Sequence, residues 1–292
     1  MGIVTWRSAL TPCFLRYALC VFPPCALSLT LCPMPYALCA FVLPVPCFQN
    51  LKQKPLSMEL MADDIHVWSV SLDQLASRVQ TLSQTLSPDE LMRAERFHFE
   101  RDRNRYIIGR GVLRTIIGYY SGVEAGKLQF RYGRYGKPAL ADTFGKEAIC
   151  FNLSHSQGLS LYAFTRDREI GIDIEHIRDI PEMEHIVEGF FSEREKVVFR
   201  ALPESKRKEA FFHCWTRKEA FIKAMGDGLS CPLDQVDVSL TPDDPAKLLR
   251  IKGDIKEAYR WSIQDLNPAH GIAASLAVEK RDWNLRFFQW SK

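Results

Sequence analysis

A chain of 292 residues with 47% apolar content can bury a large core, and it is long enough for one large domain or two smaller ones. Its net charge of +3 is unevenly spread: residues 1 to 57 hold Arg7, Arg16, Lys52 and Lys54 and no acid, leaving the remainder at −1, so no overall basic field points to nucleic acid. Six of the nine cysteines (Cys13, Cys20, Cys25, Cys32, Cys39 and Cys47) precede residue 58, without CxxC spacing or a nearby histidine, which argues against zinc, while the sparse Cys150, Cys214 and Cys231 fit a reduced, cytoplasmic body.

Tyr17 to Leu51 carries no charge, as a membrane span or signal segment would, but Pro23, Pro24, Pro33, Pro35, Pro44 and Pro46 interrupt every twenty-residue window. RYALC at 16 to 20 and PYALC at 35 to 39 nearly repeat each other. Residues 1 to 57 are therefore expected to be a low-complexity extension outside the fold, with Met58 or Met61 as the functional start, rather than a membrane anchor. From Ile65, IHVWSVS alternates as a strand does and LDQLASRVQTLS has helical spacing. Ser87, Pro88 and Glu90 make a capping box, and the arginine-rich stretch beyond it reads as one or two helices stopped by Gly122. LQFRY leads as a strand into the turn Gly133–Pro138, and Cys150 to Phe164 reads as strand, loop, strand with Ser154 and His155 at the loop.

After a polar break at 166 to 169, EIGIDIE is a strand, a helix starts at Ser192 with Glu195 at its third position, and a longer helix runs from Ser205 to Met225 before Gly226 and Gly228. Strands VDVSL, YRWSIQDL, HGIAASLAVEK and WNLRFFQW complete the chain. Residues 58–168 and 169–292 thus repeat one order of elements: strand, helices, then several strands.

Two stretches carry the chemistry. In GIDIE, Asp173 and Glu175 stand at i and i+2 on one face of a strand. In WTRKEAFIKAMGDGL, Glu219 and Lys223 share a helix face, with Lys218 one position before the glutamate. The acids could be a solvated strand face and the Glu219–Lys223 pair a surface ion pair. Their apolar flanks point to burial instead, and buried carboxylates need a cation; three acids beside two lysines suit a magnesium ion with a phosphorylated substrate. No GxxxxGK[ST] loop is present to support a nucleotide hydrolase.

FNLSHS, GIDIE and WTRKEAFIKAMGDGL, in this order and at these separations, resemble the signature of the 4′-phosphopantetheinyl transferases of the long, surfactin-synthetase-activating type. The similarity covers Ile65 to about Leu240, including the arginine-rich helix and the GKP turn, and has no counterpart for residues 1 to 57. The resemblance implies an α+β pseudo-dimer of two similar halves, each a small, mainly antiparallel sheet packed with helices. Residues 58–168 would bind coenzyme A and 169–292 would bind magnesium and catalyse, with the active site in the cleft between them. Asp173, Glu175 and Glu219 match the metal-binding acids; Ser154 and His155 match the loop that meets the 3′-phosphate of coenzyme A; Arg93, Arg105 and Lys137 fall at or near nucleotide and phosphate contacts; Lys218 and Lys223 match lysines close to the pyrophosphate. Glu90 departs, standing where some members place a basic residue near the nucleotide.

The activity implied is transfer of the 4′-phosphopantetheine arm from coenzyme A to a serine of an apo acyl or peptidyl carrier protein, with Glu219 as candidate base and Lys223 assisting the leaving phosphate. It would belong to a cytoplasmic, magnesium-dependent monomer without nucleic-acid or membrane partners. The competing reading is a non-catalytic module that binds coenzyme A or a carrier protein, against which stands the intact set of Asp173, Glu175, Glu219 and Lys223.

Overall fold

The computed structural model describes residues 49–51, 59–141, 148–226, 232–241, 244–266, 268–280 and 282–290. The long alternation-rich segments form the strands: β1 (Gln49–Leu51), β2 (Asp64–Ser71), β3 (Phe130–Tyr132), β4 (Pro138–Leu140), β5 (Ile149–Ser156), β6 (Leu159–Arg166), β7 (Ile170–His176), β8 (Val236–Val238), β9 (Leu248–Ile251), β10 (Trp261–Asp265), β11 (Ile272–Glu279) and β12 (Asn284–Trp290). The helices are α1 (Val79–Ser83), α2 (Pro88–Glu95), α3 (Glu100–Ser121), α4 (Met183–Phe190), α5 (Glu193–Ala201), α6 (Glu204–Met225) and α7 (Ile255–Ala258). Both capping boxes form: Glu90 accepts from the Ser87 amide at 3.1 Å, and Glu195 accepts from the Ser192 amide at 2.8 Å. Gly122 and Gly226 end α3 and α6 in the left-handed region, at φ 72° and 74°.

One sheet has the order β1-β12-β2-β6-β5, mixed because β12 runs parallel to both β1 and β2; a second is the antiparallel β10-β11-β7. The faces of β2 explain the packing. Ile65 and Val67 join Leu161, Ala163 and the β7 isoleucines Ile170, Ile172 and Ile174 in a core between the two sheets, while Trp68 and Val70 face the α3 residues Val112, Leu113 and Ile116. A strand buried on both faces reads as a nearly continuous apolar run, which is how IHVWSV comes to tolerate so little exposure. On the far side of β7, the alternate positions Gly171, Asp173 and Glu175 face α6, whose Phe211, Phe212, Ala220, Phe221 and Ala224 are fully buried.

Three departures from the sequence expectations concern the site or its frame. The strand expectation placed Ser154 and His155 in a loop; both lie on β5, and the connection is the two-residue turn Gln157–Gly158, whose φ values of 46° and 89° suit a tight hairpin. Polar residues at a strand end mimic a turn signal, but here both stay in the ladder with β6 and Ser154 bonds to Asp173 of the neighbouring sheet. The first sheet draws strands from both sides of residue 169, since β12 pairs with β2 from Asn284↔Asp64 to Trp290↔Val70. Gln49–Leu51, within the segment expected to lie outside the fold, pairs with β12, and the compact unit spans Pro46–Lys292; edge pairing uses backbone groups and leaves no side-chain pattern to read. The rest of residues 1 to 57 lies outside the described residues. Among the described residues, no helix is long and apolar enough to cross a membrane.

Candidate active site

The edge strands β5 and β7 of the two sheets meet side by side, and the seam is bridged by side chains. FNLSHS alternates so that Asn152, Ser154 and Ser156 point the same way, and each engages β7: Asn152 accepts from the Ile172 amide at 2.9 Å, Ser154 donates to Asp173 Oδ1 at 2.9 Å, and Ser156 donates to Glu175 Oε2 at 3.1 Å. Helix α6 crosses above at very short range, which Gly171 permits: a Cβ there would lie 2.0 Å from the Ala220 carbonyl oxygen and 2.3 Å from the Ala224 nitrogen. That approach brings the last turns of α6 onto the acidic face of β7. Lys223 Nζ reaches Asp173 Oδ1 at 2.6 Å and Ser154 Oγ at 2.9 Å.

Asp173 is 4% exposed, and its second oxygen, Oδ2, is buried without a partner. Burial, together with the nearby Asp173 and Glu175 charges, pushes Glu219 up to about 7 against the pull of Lys223, and burial and Asp173 also raise Glu175. Desolvation opposes the Lys223 charge, but Asp173 and Glu219 outweigh it and raise that ammonium's pKa. Glu175 is further held by Arg178, whose Nη1 donates to Oε2 at 3.3 Å. Glu175 and Glu219, whose charge is disfavoured, beside Asp173 with its orphaned oxygen have the donor chemistry of a hard divalent cation. As placed, Lys223 supplies the counter-charge, and among the described residues no three acid, histidine or cysteine side chains are gathered as a ready-made metal site.

The remaining residues singled out in the sequence divide into two groups. His155 stands next to Ser154 with one side open to solvent; crowding and the charges of Lys223 and Arg105 lower its imidazole pKa. Arg105, on α3, makes a two-pronged bond to Asp73 at 2.7 Å for each arm and packs beside Gly158 at the β5–β6 turn. Lys137 donates to Glu169 Oε2 at 2.8 Å and to the Ala224 carbonyl at 2.7 Å, one residue from Lys223. It borders a groove of about 530 Å³ whose walls include Arg131, Tyr132, Glu169, Met225 and Gly226, a volume within the small-molecule range.

Lys218 and Arg93 are not brought to the cluster. Lys218 is 1% exposed; its ammonium pairs with the equally buried Glu195 at 2.5 Å and donates to the Phe190 and Leu233 carbonyls. Successive helical residues project about 100° apart, so Lys218 and Glu219 cannot share a target. Arg93 lies on α2, its guanidinium 5.8 Å from the centre of the Tyr106 ring. Sequence reasoning passed over Asn152, Ser156 and Arg178, although the period-2 placement of Asn152, Ser154 and Ser156 was a signal for the first two. Glu90 is 1% exposed and ion-paired with Arg110 and Arg114, which accounts for an acid at that position.

Comparison with known proteins bears on the family of the chain. Residues 67–165 match the family described as 4′-phosphopantetheinyl transferase, N-terminal, and residues 169–277 match the 4′-phosphopantetheinyl transferase superfamily. The chain is 42% identical over 237 residues to the 4′-phosphopantetheinyl transferase HetI of Nostoc sp., covering 81% of this chain and 97% of that protein. It is 34% identical over 158 residues to the 4′-phosphopantetheinyl transferase Sfp of Bacillus subtilis, covering 54% of this chain and 68% of the relative. Among solved structures, holo-[acyl-carrier-protein] synthase of Thermotoga maritima aligns over 39% of this chain and 64% of its own, at 28% identity and a TM-score of 0.32, too low to bear on the fold. With nearly the whole of HetI matched and two family matches in tandem, the chain belongs to the 4′-phosphopantetheinyl transferase superfamily.

Proposed function

We propose that this protein transfers the 4′-phosphopantetheine arm of coenzyme A to a serine hydroxyl of an apo acyl or peptidyl carrier protein, releasing adenosine 3′,5′-bisphosphate. Membership of the superfamily supports an enzyme over a mere binding module. The observation that carries the chemistry is the convergence of Lys223 on Asp173 and Ser154 beside the buried Glu219.

The serine oxygen attacks the phosphorus that bears the pantetheine, the pyrophosphate P–O bond breaks, and the serine proton must leave. Glu219, buried beside Asp173 and Lys223, is the candidate acceptor for that proton, directly or through a water. Lys223, one hydrogen bond from Ser154, is placed to stabilise charge on the departing phosphate. Asp173, Glu175 and Glu219 would hold a magnesium ion, with the orphaned Asp173 Oδ2 as its natural first contact. Such an ion would neutralise the pyrophosphate charge when bound. Ser154, His155 and Arg105 form the phosphate side of the seam, and Lys137 with the adjoining groove the nucleotide side; Arg93 is assigned a peripheral nucleotide contact. Lys218, expected from the sequence among the catalytic residues, is given a positioning role through Glu195 instead.

In this reading the β5–β7 seam is the cleft of a pseudo-dimer, one half folding on α3 and the other on α6, in a cytoplasmic monomer whose free Cys150 and Cys214 fit a reducing compartment. The test is incubation with coenzyme A, magnesium or a chelator, and a panel of apo carrier proteins, followed by mass spectrometry. The arm should appear on at least one carrier, only with magnesium, and not with Glu219→Gln. An unmodified panel would overturn the assignment, and modification that survives chelation would remove the metal from it.

A further inference from the structure

The β3–β4 hairpin is only three residues deep on each strand and forms a two-stranded sheet of its own. An isolated hairpin of that size does not hold its shape in water, so something else must fix it. One anchor is Lys137, tied to Glu169 and to the end of α6. The other lies at the opposite strand. Arg110 donates to the Tyr132 hydroxyl at 2.9 Å, and its guanidinium sits 4.8 Å from the centre of the Phe130 ring, with Arg114 5.0 Å from the same ring. Phe130 in turn packs edge-on to Phe151 of β5.

Both arginines are held by Glu90, which takes Arg110 Nε on one oxygen at 2.7 Å and Arg114 Nε on the other at 2.6 Å. Among the described residues it is the one carboxylate in ion-pair reach of either arginine. A lysine or arginine at position 90 would put three cations together in a buried place and release the Arg110 fork. Tyr132, at the hairpin end of the chain of contacts, is 44% exposed and lines the groove that Lys137 borders.

We propose that Glu90, Arg110 and Tyr132 are positioning residues: a relay from α2 through α3 that fixes the β3–β4 hairpin against the groove and thereby tightens coenzyme A binding. The relay rests on the groove being the nucleotide side of the site. It gives position 90 an indirect share in binding, through an acid that organises two arginines rather than a base that meets the ligand.

The mildest probe is Tyr132→Phe, which removes one hydroxyl from a half-open site and leaves the buried ion pairs intact. Its coenzyme A Kd by calorimetry should rise about fivefold, the loss of one charge-assisted hydrogen bond only partly felt at the groove. KM for coenzyme A should rise with it, while kcat falls by far less and the melting temperature stays put. The amides of Gly133 and Gly136, which bond to the Lys137 and Gly133 carbonyls across the turn, should exchange faster, and those of the β5–β6 pair should not. Glu90→Gln should move Kd and hairpin exchange in the same direction and further; being buried, it will also lower stability, so the Tyr132 variant decides. An unchanged Kd for Tyr132→Phe, or a fall in kcat alone, overturns the relay. Because Kd is read without a carrier protein, wild-type binding without transfer would reject the proposed reaction while leaving the relay to its own test, and absence of coenzyme A binding would reject both.

Discussion

The most demanding test of the site's construction is Gly171→Ala, which adds a single methyl group and touches no charged residue. The new carbon would stand 2.0 Å from the Ala220 carbonyl oxygen, 2.3 Å from the Ala224 nitrogen and 2.9 Å from the Ala224 Cα. All three are helix backbone, so no side-chain rotation relieves the clash. Reaching a contact of even 3.0 Å requires α6 and β7 to part by about 1 Å at Ala220. Overpacking of this kind costs about 1 to 3 kcal/mol, and the affected turn, Ala220 to Ala224, adjoins Glu219 and carries Lys223. A displacement of that size at a reacting centre costs on the order of 100-fold in rate. We expect the variant to remain folded with a melting temperature lowered by several degrees, to bind coenzyme A, and to transfer the arm about 100-fold more slowly in a mass-spectrometric time course. A variant with wild-type turnover would refute the claim that close contact between α6 and β7 sets the carboxylate–lysine geometry.

Three further outcomes follow from neighbouring features. Lys223→Met should reduce kcat by about 100-fold or more through lost transition-state charge stabilisation and, because it strips the buried Asp173 of its counter-charge, should also lower the melting temperature, so kcat is compared on folded protein; near-normal kcat would exclude Lys223 from the chemistry. Lys218→Met should act on stability first, since it strands the Glu195 charge at a cost of about 3 to 5 kcal/mol, and Lys218→Met with Glu195→Gln, which removes that charge but keeps an acceptor for the Ser192 and Val238 amides, should recover much of the loss in denaturant titrations; a folded single variant that is catalytically dead would return Lys218 to the active site. Burial lowers the His66 imidazole to about 4, partly offset by Asp64, so folding is favoured where the ring is neutral in both states. That stability is complete above the unfolded pKa near 6.5 and declines by up to about 3 kcal/mol as pH falls toward 4, a dependence that His66→Gln should flatten in urea titrations at pH 7 and pH 5; an equally steep loss in the variant would place the acid sensitivity elsewhere.

How far the sequence discloses this site depends on what local pattern can encode. Serine caps and terminal glycines act within a turn of themselves, so the starts at Ser87 and Ser192 and the stops at Gly122 and Gly226 were readable, as was the shared face of Glu219 and Lys223. Pattern shows which face a residue occupies and is silent on what lies opposite. Lys218 illustrates the limit: it is as close to Glu219 in sequence as a residue can be, yet it turns toward α5 and meets Glu195. The return of β12 to β2 and the edge position of β1 are long-range pairings made by backbone groups, invisible to any local reading.

Ser154 shows why a correct motif can carry a wrong conformation. A run of asparagine and serines before Gly158 has the composition of a loop, and small polar residues do favour turns. On an edge strand facing another edge strand, however, the same residues solve a different problem. β5 and β7 share no backbone ladder, so the exposed polar groups between them must be met by side chains short enough to fit the gap, and Asn152, Ser154 and Ser156 meet them at every second position. The join between the two sheets and the acid-binding side of the site are therefore one feature. A serine that ties Asp173 to Lys223 also ties one sheet to the other, so the carboxylates cannot shift without opening the seam between β5 and β7. Ser154→Ala should accordingly loosen both at once, raising hydrogen exchange along β5 as well as lowering kcat, whereas a residue that served only as a ligand to phosphate would lower activity and leave exchange unchanged.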